Sequence, residues 1–410
     1  MSMEWERHRL GELALSIQTG PFGSQLHQSD YSETGTPVIM PKDMVNGKIS
    51  TSDIARVSEC HVLRLKRHIV NAGDIIYSRR GDVGRCSLIT EKESGWLCGT
   101  GCLKVNLNTT KCVPSFLFYI LQRKDSVGWV ESHAVGATMP NLNTGILSNL
   151  PVTIPSIDIQ HRIASILSAY DNLIENNNRR IRLLEQMAEN LYKEWFVRFR
   201  FPGHEKVEME NGLPKGWRID KIGNVCETIG GGTPSTAKTE YWGGEIKWVT
   251  PTDITSKNSL PLLKVAGRIT EEGLKKSSAK LLPPYTILMT SRASIGFFGI
   301  APFEVCTNQG FISIIPKKEN LRMYMLYMLK STKDEIIANA NGSTFLEISK
   351  GRFRKMKILL PTDSILKSFE NKAMTIFQAI INLEHQNDNL TRQRDLLLPR
   401  LMSGKLAVNA

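Results

Sequence analysis

Apolar residues between Ser156 and Phe201 recur at alternating intervals of four and three positions, which predicts a long helix with one apolar seam. The seam consists of Ile163, Leu167, Tyr170, Ile174, Asn177, Ile181, Leu184, Ala188 and Leu191. This spacing is typical of a coiled coil, because it keeps one side of the helix facing a partner helix. At about 1.5 Å per residue, the roughly 43 residues from Asp158 to Arg200 would form a rod about 65 Å long.

A second seam with the same spacing lies near the C-terminus. It consists of Phe369, Ala373, Ile376, Ile380, Leu383, Asn387, Leu390, Arg394 and Leu397. Because both seams belong to one chain, we expect the second helix to run antiparallel along the first, with Asn177 opposite Asn387. A slip in register would leave each amide against apolar side chains, at a cost of about 1 to 3 kcal/mol. The alternative is that one or both Asn side chains face solvent.

The segments that precede the two helices also repeat. Trp5–Gly11 matches Trp217–Gly223 and Asp74–Arg80 matches Thr286–Arg292, both at the same offset along the chain, and Gly136–Thr138 matches Gly342–Thr344 at a slightly shorter offset. Identity within each match is low, but the matches occur in the same order in both halves. The sequence therefore predicts two homologous halves, each a globular domain followed by a long helix.

Short apolar runs between Gly, Pro and Asn turns predict strands, and fewer segments predict helices. The predicted strands include Pro37–Met40, Asp74–Tyr77, Ile246–Val249 and Phe311–Ile315, with a hairpin at Asn46-Gly47, and the predicted helices include Ser115–Gln122 and Leu321–Ser331. The predicted fold class is α+β, with two homologous globular α/β domains separated by two long antiparallel coiled-coil helices in a pseudo-twofold arrangement. The predicted domains are residues 1–155, a central helix 156–201, residues 202–361, and a C-terminal helix and tail 362–410. In this prediction Pro202-Gly203 ends the first helix, and Pro399 with Gly404 ends the second.

Composition narrows the classes of function. The chain has 410 residues, 41% of them hydrophobic and 22% charged, which is typical of a globular protein with two or three domains. The sequence contains no apolar run of membrane-spanning length and no signal-peptide pattern, so we expect a cytoplasmic protein. The net charge of +12 and the pI near 9.3 favour a polyanionic partner, nucleic acid before a membrane surface.

Seven cysteines are scattered along the chain without a Cys-x-x-Cys pair. We therefore expect reduced and mostly buried thiols and no metal site. The adjacent Cys60 and His61 are the one place in the sequence where a metal ligand pair would be sought.

Catalytic motifs are absent from the sequence. The segment Leu282-Pro283-Pro284-Tyr285 has Leu where an amino-methyltransferase needs Asp, Asn or Ser before Pro-Pro-aromatic, so we interpret it as a turn before a strand. The turn Gly230-Gly231-Gly232-Thr233 lacks the Lys of a phosphate-binding loop. We expect a chain that is not an enzyme. The alternatives are a DNA methyltransferase or nuclease with fused recognition domains, and a coiled-coil scaffold with no DNA role.

Four motifs carry a resemblance to a known family. They are the start of the second copy at Pro214-Lys215-Gly216-Trp217, the turn Gly231-Gly232-Thr233-Pro234, the helix start Gln160-x-x-Ile163-x-x-Ile166-Leu167 and, above all, the terminal run from Arg394 to Leu406. With these motifs the whole chain resembles the specificity subunit of type I restriction-modification systems.

The resemblance implies that each globular domain is a target recognition domain that reads one half of a split, asymmetric site in double-stranded DNA. It implies that the helices hold the domains at a fixed distance and dock two modification subunits, which bind S-adenosylmethionine and methylate adenine. Restriction subunits, with ATP and Mg, would join through the complex to translocate and cleave DNA. This chain would bind no cofactor itself and would supply sequence specificity alone.

A domain of this kind needs Arg, Asn or Gln side chains that reach base edges, and glycine-rich turns allow close approach to DNA. The DNA-binding candidates are Gln18, Thr19, Ser24, Lys42, Ser78, Arg79, Arg80 and Thr138 in the first copy, and Thr233, Ser235, Lys238, Thr252, Ser291, Arg292, Asn308, Gln309 and Thr344 in the second. A structural ion pair is the alternative for Arg80 and Arg292, and turn stabilisation is the alternative for the Thr residues. A further basic group, Arg352, Arg354, Lys355 and Lys357, would either clamp phosphate or lie on an exposed strand face.

Overall fold

A computed structural model describes residues 5–136, 140–257, 259–342 and 345–406 of the chain. The chain divides into two units: unit 1 is Met1–Leu173 with Asn389–Ala410, and unit 2 is Ile174–Asp388. Each unit contains a globular part of mixed helices and strands together with a stretch of each long helix. The α+β class predicted from the sequence is confirmed.

The globular part of unit 1 is built from short strands and short helices. Its strands are β1 (Glu6–Arg9), β2 (Ala14–Thr19), β3 (Tyr31–Ser32), β4 (Thr36–Ile39), β5 (Met44–Val45), β6 (Lys48–Ile49), β7 (Ala55–Val57), β8 (Ile75–Ser78), β9 (Cys86–Leu88), β10 (Leu97–Cys98), β11 (Cys102–Leu107) and β12 (Pro151–Ile154). Its helices are α1 (Leu10–Leu13), α2 (Glu59–Arg64), α3 (Pro114–Leu121), α4 (Lys124–His133) and α5 (Thr144–Ser148). The first long helix, α6 (Ile157–Tyr192), follows.

Two four-stranded sheets organise unit 1, in the orders β2-β11-β8-β9 and β10-β4-β7-β3. Strand β11 is nearly continuously buried, as expected for a strand that is covered on both faces. Strand β10 runs parallel to β4, and β1 pairs antiparallel with β12. The predicted hairpin joins β5 and β6, and its turn residues Asn46 and Gly47 have φ of 52° and 77°, values that a tight two-residue hairpin requires.

The globular part of unit 2 follows α6 along the chain. Its strands are β13 (Met209–Glu210), β14 (Leu213–Pro214), β15 (Arg218–Lys221), β16 (Cys226–Gly230), β17 (Trp242–Val249), β18 (Gly267–Ile269), β19 (Ile287–Thr290), β20 (Phe298–Ile300), β21 (Cys306–Thr307), β22 (Phe311–Pro316) and β23 (Lys357–Leu360). Its helices are α7 (Ile222–Val225), α8 (Pro251–Thr255), α9 (Glu271–Lys275), α10 (Arg322–Ser331), α11 (Lys333–Ala338) and α12 (Lys350–Lys355). The second long helix, α13 (Asp363–Met402), follows.

Unit 2 repeats the strand topology of unit 1. Its four-stranded sheet has the order β16-β22-β19-β20, its parallel pair is β17 with β21, and β15 pairs antiparallel with β23. The partners Glu6 and Ile154 in unit 1 correspond to Arg218 and Leu360 in unit 2. These pairs are related by the same two offsets as the matches between Trp5 and Trp217 and between Gly136 and Gly342, so the internal repeat predicted from the sequence is confirmed.

The predicted end of the first long helix at Phe201 is wrong. Regular α-helix ends at Tyr192, and Lys193–Val197 form one π-helical turn in which the Arg198 amide donates to the Lys193 carbonyl at 2.9 Å. A π turn has one more residue between donor and acceptor than an α-helical turn, so it changes the direction of the side chains within it. It brings Phe196 into the core of unit 2, where its ring lies 4.6 Å from the Tyr324 ring and 4.9 Å from the Phe369 ring.

The prediction that Pro399 helps to end the second long helix is also wrong, since α13 continues through Pro399 to Met402. Proline removes one backbone hydrogen bond from a helix. Leu401 and Met402, which follow it, are 2% and 3% exposed in the core of unit 1, and burial of two such side chains offsets that loss. The chain then turns at Gly404, whose φ is +70°.

The seam side chains of both long helices are buried or half-buried throughout. In unit 2, Ile181 packs with Ile380 and Leu383. The side-chain nitrogen of Asn177 donates to the side-chain oxygen of Asn387 at 3.0 Å. The predicted pairing of these two amides is therefore present. Asn387 also donates to the Asn178 side-chain oxygen at 2.9 Å, and Asn177 donates to the Gln386 side-chain oxygen at 3.5 Å, so four side-chain amides take part.

Six of the seven cysteines are buried and Cys60 is exposed, and all seven are free thiols, as predicted. Burial raises the pKa of the Cys86, Cys98 and Cys112 thiols to about 12, so these thiols are protonated at neutral pH. The imidazole of His61 is hydrogen-bonded to the Ser58 hydroxyl at 2.9 Å. Within the described ranges, no helix is both long and apolar enough to cross a membrane.

Candidate functional site

A cavity of about 250 Å³ in unit 2 collects three of the residues predicted to contact DNA. It is lined by Pro251, Arg292, Ala293, Asn308, Gln309, Gly310 and Phe345. Pro251 follows β17, Arg292 follows β19 and Asn308 follows β21, so the cavity forms where three strands end. Arg292, Asn308 and Gln309, which the sequence analysis selected separately, therefore share one site.

The turn that carries Gln309 is held by hydrogen bonds on both sides. The Asn308 amide N–H donates to the Val249 carbonyl at 3.1 Å, and the Ser291 N–H donates to the Gly310 carbonyl at 2.8 Å. The side-chain oxygen of Asn308 accepts from the Gly310 N–H at 2.9 Å. Asn308 therefore uses its side chain to build the turn, whereas the Gln309 side chain is exposed.

Thr233 orients the Gln309 side chain. The Thr233 hydroxyl donates to the Gln309 amide oxygen at 2.5 Å, across 76 positions of sequence. The Gly-Gly-Thr-Pro turn can approach so closely because Gly231 has no side chain: a Cβ there would lie 2.1 Å from the Asn308 carbonyl oxygen. Thr233 thus holds a neighbouring side chain in place.

Arg292 is half-exposed at the rim of the same cavity. Its Nε lies 4.0 Å from a Glu347 carboxylate oxygen, and both side chains are about half exposed, at 50% and 49%. A pair of this length and exposure contributes little to stability, so the guanidinium remains available to a ligand. The backbone of Arg292 also forms an isolated bridge with Glu347.

Unit 1 has the same backbone arrangement with different side chains. The Arg79 N–H donates to the Gly101 carbonyl at 2.7 Å, as Ser291 does to Gly310 in unit 2, and Arg80 forms a backbone bridge with Asn141. The residue at the position of Gln309 is Thr100, and its hydroxyl donates to the Pro21 carbonyl at 2.9 Å. Unit 1 therefore has no long amide side chain at this turn.

Arg80 is exposed, whereas Arg79 is half-buried and has two partners. The Arg79 Nε donates to the Asn141 amide oxygen at 3.2 Å, and its guanidinium lies 5.4 Å from the centre of the Phe22 ring. Phe22 is itself 49% exposed. Of these two arginines, Arg80 is the one that is open to a ligand, and Arg79 has a positioning role.

The remaining candidates in unit 1 differ in their surroundings. Ser24 is exposed in the turn after β2, and Lys42 is exposed with its amine 3.0 Å from the Asp53 carbonyl. Gln18 is half-buried and donates to the Arg67 carbonyl at 2.9 Å, and Thr19 is half-buried at the end of β2. Only Ser24 and Lys42 of these four are well placed for an external ligand.

The remaining candidates in unit 2 lie near β17. Ser235 and Thr252 are exposed, and the Ser235 carbonyl accepts from the Trp242 indole N–H at 3.1 Å. The Lys238 amine lies 5.1 Å from the centre of the Tyr241 ring, and its interaction with Tyr241 raises the pKa of the lysine. These residues do not line the cavity that contains Gln309.

Two candidates, Ser78 and Ser291, are buried. Ser78 is 1% exposed and its hydroxyl donates to the Arg80 carbonyl at 2.9 Å, and Ser291 is 2% exposed. Both lie where a strand of the four-stranded sheet ends, on the side that faces the core. They shape the backbone that presents Arg80 and Arg292 and do not reach a ligand.

Two further candidates, Thr138 and Thr344, lie outside the described residues. The basic group near residue 352 is described, and the alternative of an exposed strand face is wrong for most of it, since Arg352, Arg354 and Lys355 lie in helix α12 and only Lys357 is in a strand. Arg352 donates to the Asn341 amide oxygen at 2.7 Å and so braces the segment before Phe345.

Phe345 lines the cavity and is 59% exposed, but it was not among the residues predicted from the sequence. A large apolar residue directly after Gly-Ser-Thr in a basic domain was the available signal.

The buried Lys104 of unit 1 was also not among the predicted residues. Its amine donates to the Arg67 and Ile69 carbonyls at 3.1 and 2.7 Å. Burial, together with the nearby Arg67 and Lys104, lowers the pKa of His68 to about 4, so this imidazole is neutral.

A second cavity of unit 2, of about 280 Å³, has basic residues that are already engaged. Its lining includes Glu185, Lys257, Lys330 and Lys333. Lys330 pairs with Glu189, the Lys333 amine lies 4.3 Å from the centre of the Phe297 ring, and Glu185 accepts from the Leu260 N–H at 2.7 Å. The contacts to Glu189 and Glu185 tie the globular part of unit 2 to α6, which is a structural role.

Comparison with known proteins agrees with the internal repeat. The family model described as "Type I restriction modification DNA specificity domain" matches residues 3–186 and 214–392. The chain is 23% identical to the type I restriction enzyme HindI specificity subunit of Haemophilus influenzae, over 98% of this chain and 100% of that protein. It is 34% identical to the MjaIX specificity subunit of Methanocaldococcus jannaschii, over 48% of this chain and 46% of that protein.

A crystal structure of the type I restriction-modification S subunit from M. genitalium has the same fold. It matches with a TM-score of 0.62 and 18% identity, over 97% of this chain and 96% of that one. The family model covers most of the chain in two separate stretches, and each stretch contains one copy of the repeated topology described above. The chain therefore belongs to the family of type I restriction modification DNA specificity domains, with two such domains in tandem.

Proposed function

We propose that this chain, a specificity subunit of a type I restriction-modification system, reads an asymmetric bipartite DNA site with one recognition domain for each half-site. The observation that carries this proposal is a difference between the repeats. The same turn presents Gly99-Thr100-Gly101 in unit 1 and Asn308-Gln309-Gly310 in unit 2. Two equivalent scaffolds with different side chains at one turn are suited to reading two different sequences.

Charge supports double-stranded DNA as the partner. The net charge is +12, and exposed Arg80 and Arg292 occupy corresponding positions in the two units. Contacts from such residues to phosphates release counterions, so affinity falls steeply as salt is raised. Side chains on the turns then discriminate between base pairs.

The long helices are the proposed docking surface for two modification subunits. On α6 in unit 2, Leu183 and Met187 are one turn apart and are 52% and 57% exposed. Apolar side chains at this spacing form a continuous stripe on a helix surface. Restriction subunits would join through the complex that the modification subunits form.

We further propose that catalysis and cofactors belong to the partners. S-adenosylmethionine would be bound by the modification subunits, and ATP with Mg by the restriction subunits. The segment Leu282–Tyr285, the nearest sequence to a methyltransferase motif, is a turn before β19 in which Tyr285 has a φ of +62°. The Tyr285 N–H donates to the Ala301 carbonyl at 2.7 Å, so the segment serves the fold.

Mapping of methylated adenines in cells tests this proposal. Cells that carry the chain should show one bipartite methylated motif, and deletion of the chain should abolish it. The purified chain, given labelled S-adenosylmethionine and DNA without partners, should transfer no methyl groups. Methylation by the isolated chain, or an unchanged methylation pattern after deletion, would contradict the proposal.

Binding measurements provide a second readout. The complex should shift a duplex that contains the motif, and the logarithm of its affinity should fall linearly with the logarithm of salt concentration. A coiled-coil scaffold with no DNA role would show neither the shift nor the salt dependence.

A further inference from the structure

The cavity that contains Gln309 has the chemistry needed to recognise one kind of base pair. A glutamine side chain has an amide oxygen with two lone pairs and an amide nitrogen with two N–H donors. The Thr233 hydroxyl occupies one lone pair of the Gln309 oxygen. In the part of the chain that the structure describes, no residue accepts a hydrogen bond from the Gln309 nitrogen.

The free groups of Gln309 match the edge of adenine in the major groove. Adenine presents an N7 acceptor and an N6 amino donor there, and a glutamine can bond both at once. The Gln309 nitrogen would donate to N7, and the second lone pair of its oxygen would accept from N6. In the observed orientation the Thr233 hydroxyl donates to the Gln309 oxygen, which leaves both N–H groups of the amide free for the adenine edge.

The backbone under Gln309 restricts where its side chain can point. The turn is fixed by Val249, Ser291 and the Asn308 side chain, and the Thr233 loop approaches to a distance that only Gly231 allows. Recognition of bases depends on such preorganisation, since a mobile side chain loses rotamer freedom on binding.

Phe345 supplies an apolar surface in the same cavity. Its ring is 59% exposed and lines the cavity with Gln309 and Arg292. Thymine differs from the other bases in the major groove by its C5 methyl group, which apolar side chains contact. An amide donor–acceptor pair beside an exposed phenyl ring is complementary to an adenine–thymine pair.

We propose that this cavity reads an adenine–thymine pair in the half-site bound by unit 2, with Gln309 on the adenine and Phe345 on the thymine methyl group. Thr233 is a positioning residue for Gln309. This inference rests on the proposed function. The turn of unit 1 cannot read adenine in this way, because Thr100 at the corresponding position donates to the Pro21 carbonyl.

Variants of Gln309, expressed in cells in place of the wild-type chain, test the assignment through the methylated motif. Gln309→Ala should relax the requirement for adenine at one position of one half-site. The preference for adenine over other bases there should fall by roughly 5- to 150-fold, the range typical of a bidentate base contact. Gln309→Glu, which only accepts hydrogen bonds, should change the preference at that position towards cytosine, whose N4 group donates. Thr233→Val should lower the discrimination by a smaller factor.

The other half-site is an internal control, since its motif should be unchanged in every variant. Gln378→Ala, at an exposed glutamine of α13 in the same unit, is a matched control that should leave both half-sites intact. An unchanged motif in both Gln309→Ala and Gln309→Glu would overturn the inference. Uniformly weaker methylation of all DNA sequences would also overturn the inference, because that result would make Gln309 a phosphate contact. Absence of any bipartite motif in wild-type cells would instead contradict the proposed function.

Synthetic duplexes test the thymine contact with the purified complex. Replacing the thymine of the identified pair by deoxyuridine removes only the methyl group. The wild-type complex should bind the deoxyuridine duplex about 3- to 10-fold more weakly, and Phe345→Ala should bind both duplexes alike. Equal affinity of the wild-type complex for the two duplexes would overturn the assignment of Phe345.

Discussion

Gln160 and Glu370 make the same contact in the two units, from helical positions one turn apart. The Gln160 side-chain oxygen accepts from the Val113 N–H at 2.9 Å at the start of α3, and a Glu370 oxygen accepts from the Met323 N–H at 2.8 Å at the start of α10. The Gln160 nitrogen also donates to the Pro155 and Lys111 carbonyls. The other oxygen of Glu370 is buried and accepts no hydrogen bond from the described residues.

Glu370→Gln should stabilise the protein above neutral pH. Burial raises the pKa of Glu370 from 4.5 to about 7, so the folded state binds this proton more tightly than the unfolded state does. The native protein therefore loses stability as pH rises from about 4.5 to about 7, by roughly 1.4 kcal/mol for each unit of pKa difference. Urea unfolding of both proteins at pH 5 and pH 8 should show a larger advantage of the variant at pH 8.

Gln160→Glu is the reciprocal variant. It should introduce a loss of stability with rising pH, because a carboxylate cannot donate to the Pro155 and Lys111 carbonyls. If the change in stability caused by Glu370→Gln were the same at pH 5 and at pH 8, Glu370 would not be the titrating group.

Asn387→Leu should lower the free energy of unfolding by about 1 to 3 kcal/mol, because it leaves the buried Asn177 amide without its main partner. The double variant Asn177→Leu with Asn387→Leu should recover much of that loss, since it removes both polar groups. Urea unfolding measures both. Asn176→Leu, at an exposed neighbouring position, should change stability by less than about 0.5 kcal/mol.

Arg394→Ala should destabilise unit 1 by about 1 to 3 kcal/mol. Arg394 occupies a seam position, where its guanidinium donates to an Asp171 carboxylate oxygen at 2.6 Å, and the Tyr119 hydroxyl donates to the other oxygen of the same carboxylate. Removal of the arginine leaves a half-buried carboxylate without its cation. Thermal unfolding should show the loss, and Arg392→Ala, at an exposed position two residues away, should show almost none.

Arg292→Ala should weaken binding to one half-site and leave recognition of the other intact, and Arg80→Ala should have the opposite effect. Loss of a base contact costs about 1 to 3 kcal/mol at particular positions, whereas loss of a phosphate contact lowers affinity for all sequences and reduces the salt dependence. Competition binding of the complex to duplexes altered in one half-site separates the two cases. If both variants weakened the same half-site, the assignment of one domain to each half-site would be contradicted.

Features that repeat along the chain were predictable from the sequence. The seam of α6 and α13 follows from heptad spacing, and the pairing of Asn177 with Asn387 follows from register, because each seam contains one asparagine and an antiparallel alignment can set the two opposite each other. The two offsets between matching motifs also relate equivalent strands, so these strands could be located before their topology was known. The predicted domain limits stay predictions.

Features that depend on contacts distant in sequence were not predictable. Ser78 ends an apolar strand and Ser291 directly follows one, so either could have faced solvent, and only the packed sheet places them inward. The bond from Thr233 to Gln309 joins two exposed polar residues with no local pattern. The π turn after Tyr192 arises because Phe196 packs in a core assembled from the residues that follow it.

The burial of Leu401 and Met402 in the core of unit 1 has a consequence for biosynthesis. These residues pack in the same core as Leu10 and Leu13, with Trp5 against it, so unit 1 needs residues that the ribosome makes before and after those of unit 2. At about 5 to 20 residues per second, the ribosome takes roughly 10 to 50 seconds to go from Leu173 to Leu401. During that time the nascent first domain exposes the apolar surface that Leu401 and Met402 later cover. Chaperones would have to protect this surface until α13 is released, and chains truncated before Leu401 would keep it exposed and be open to proteolysis.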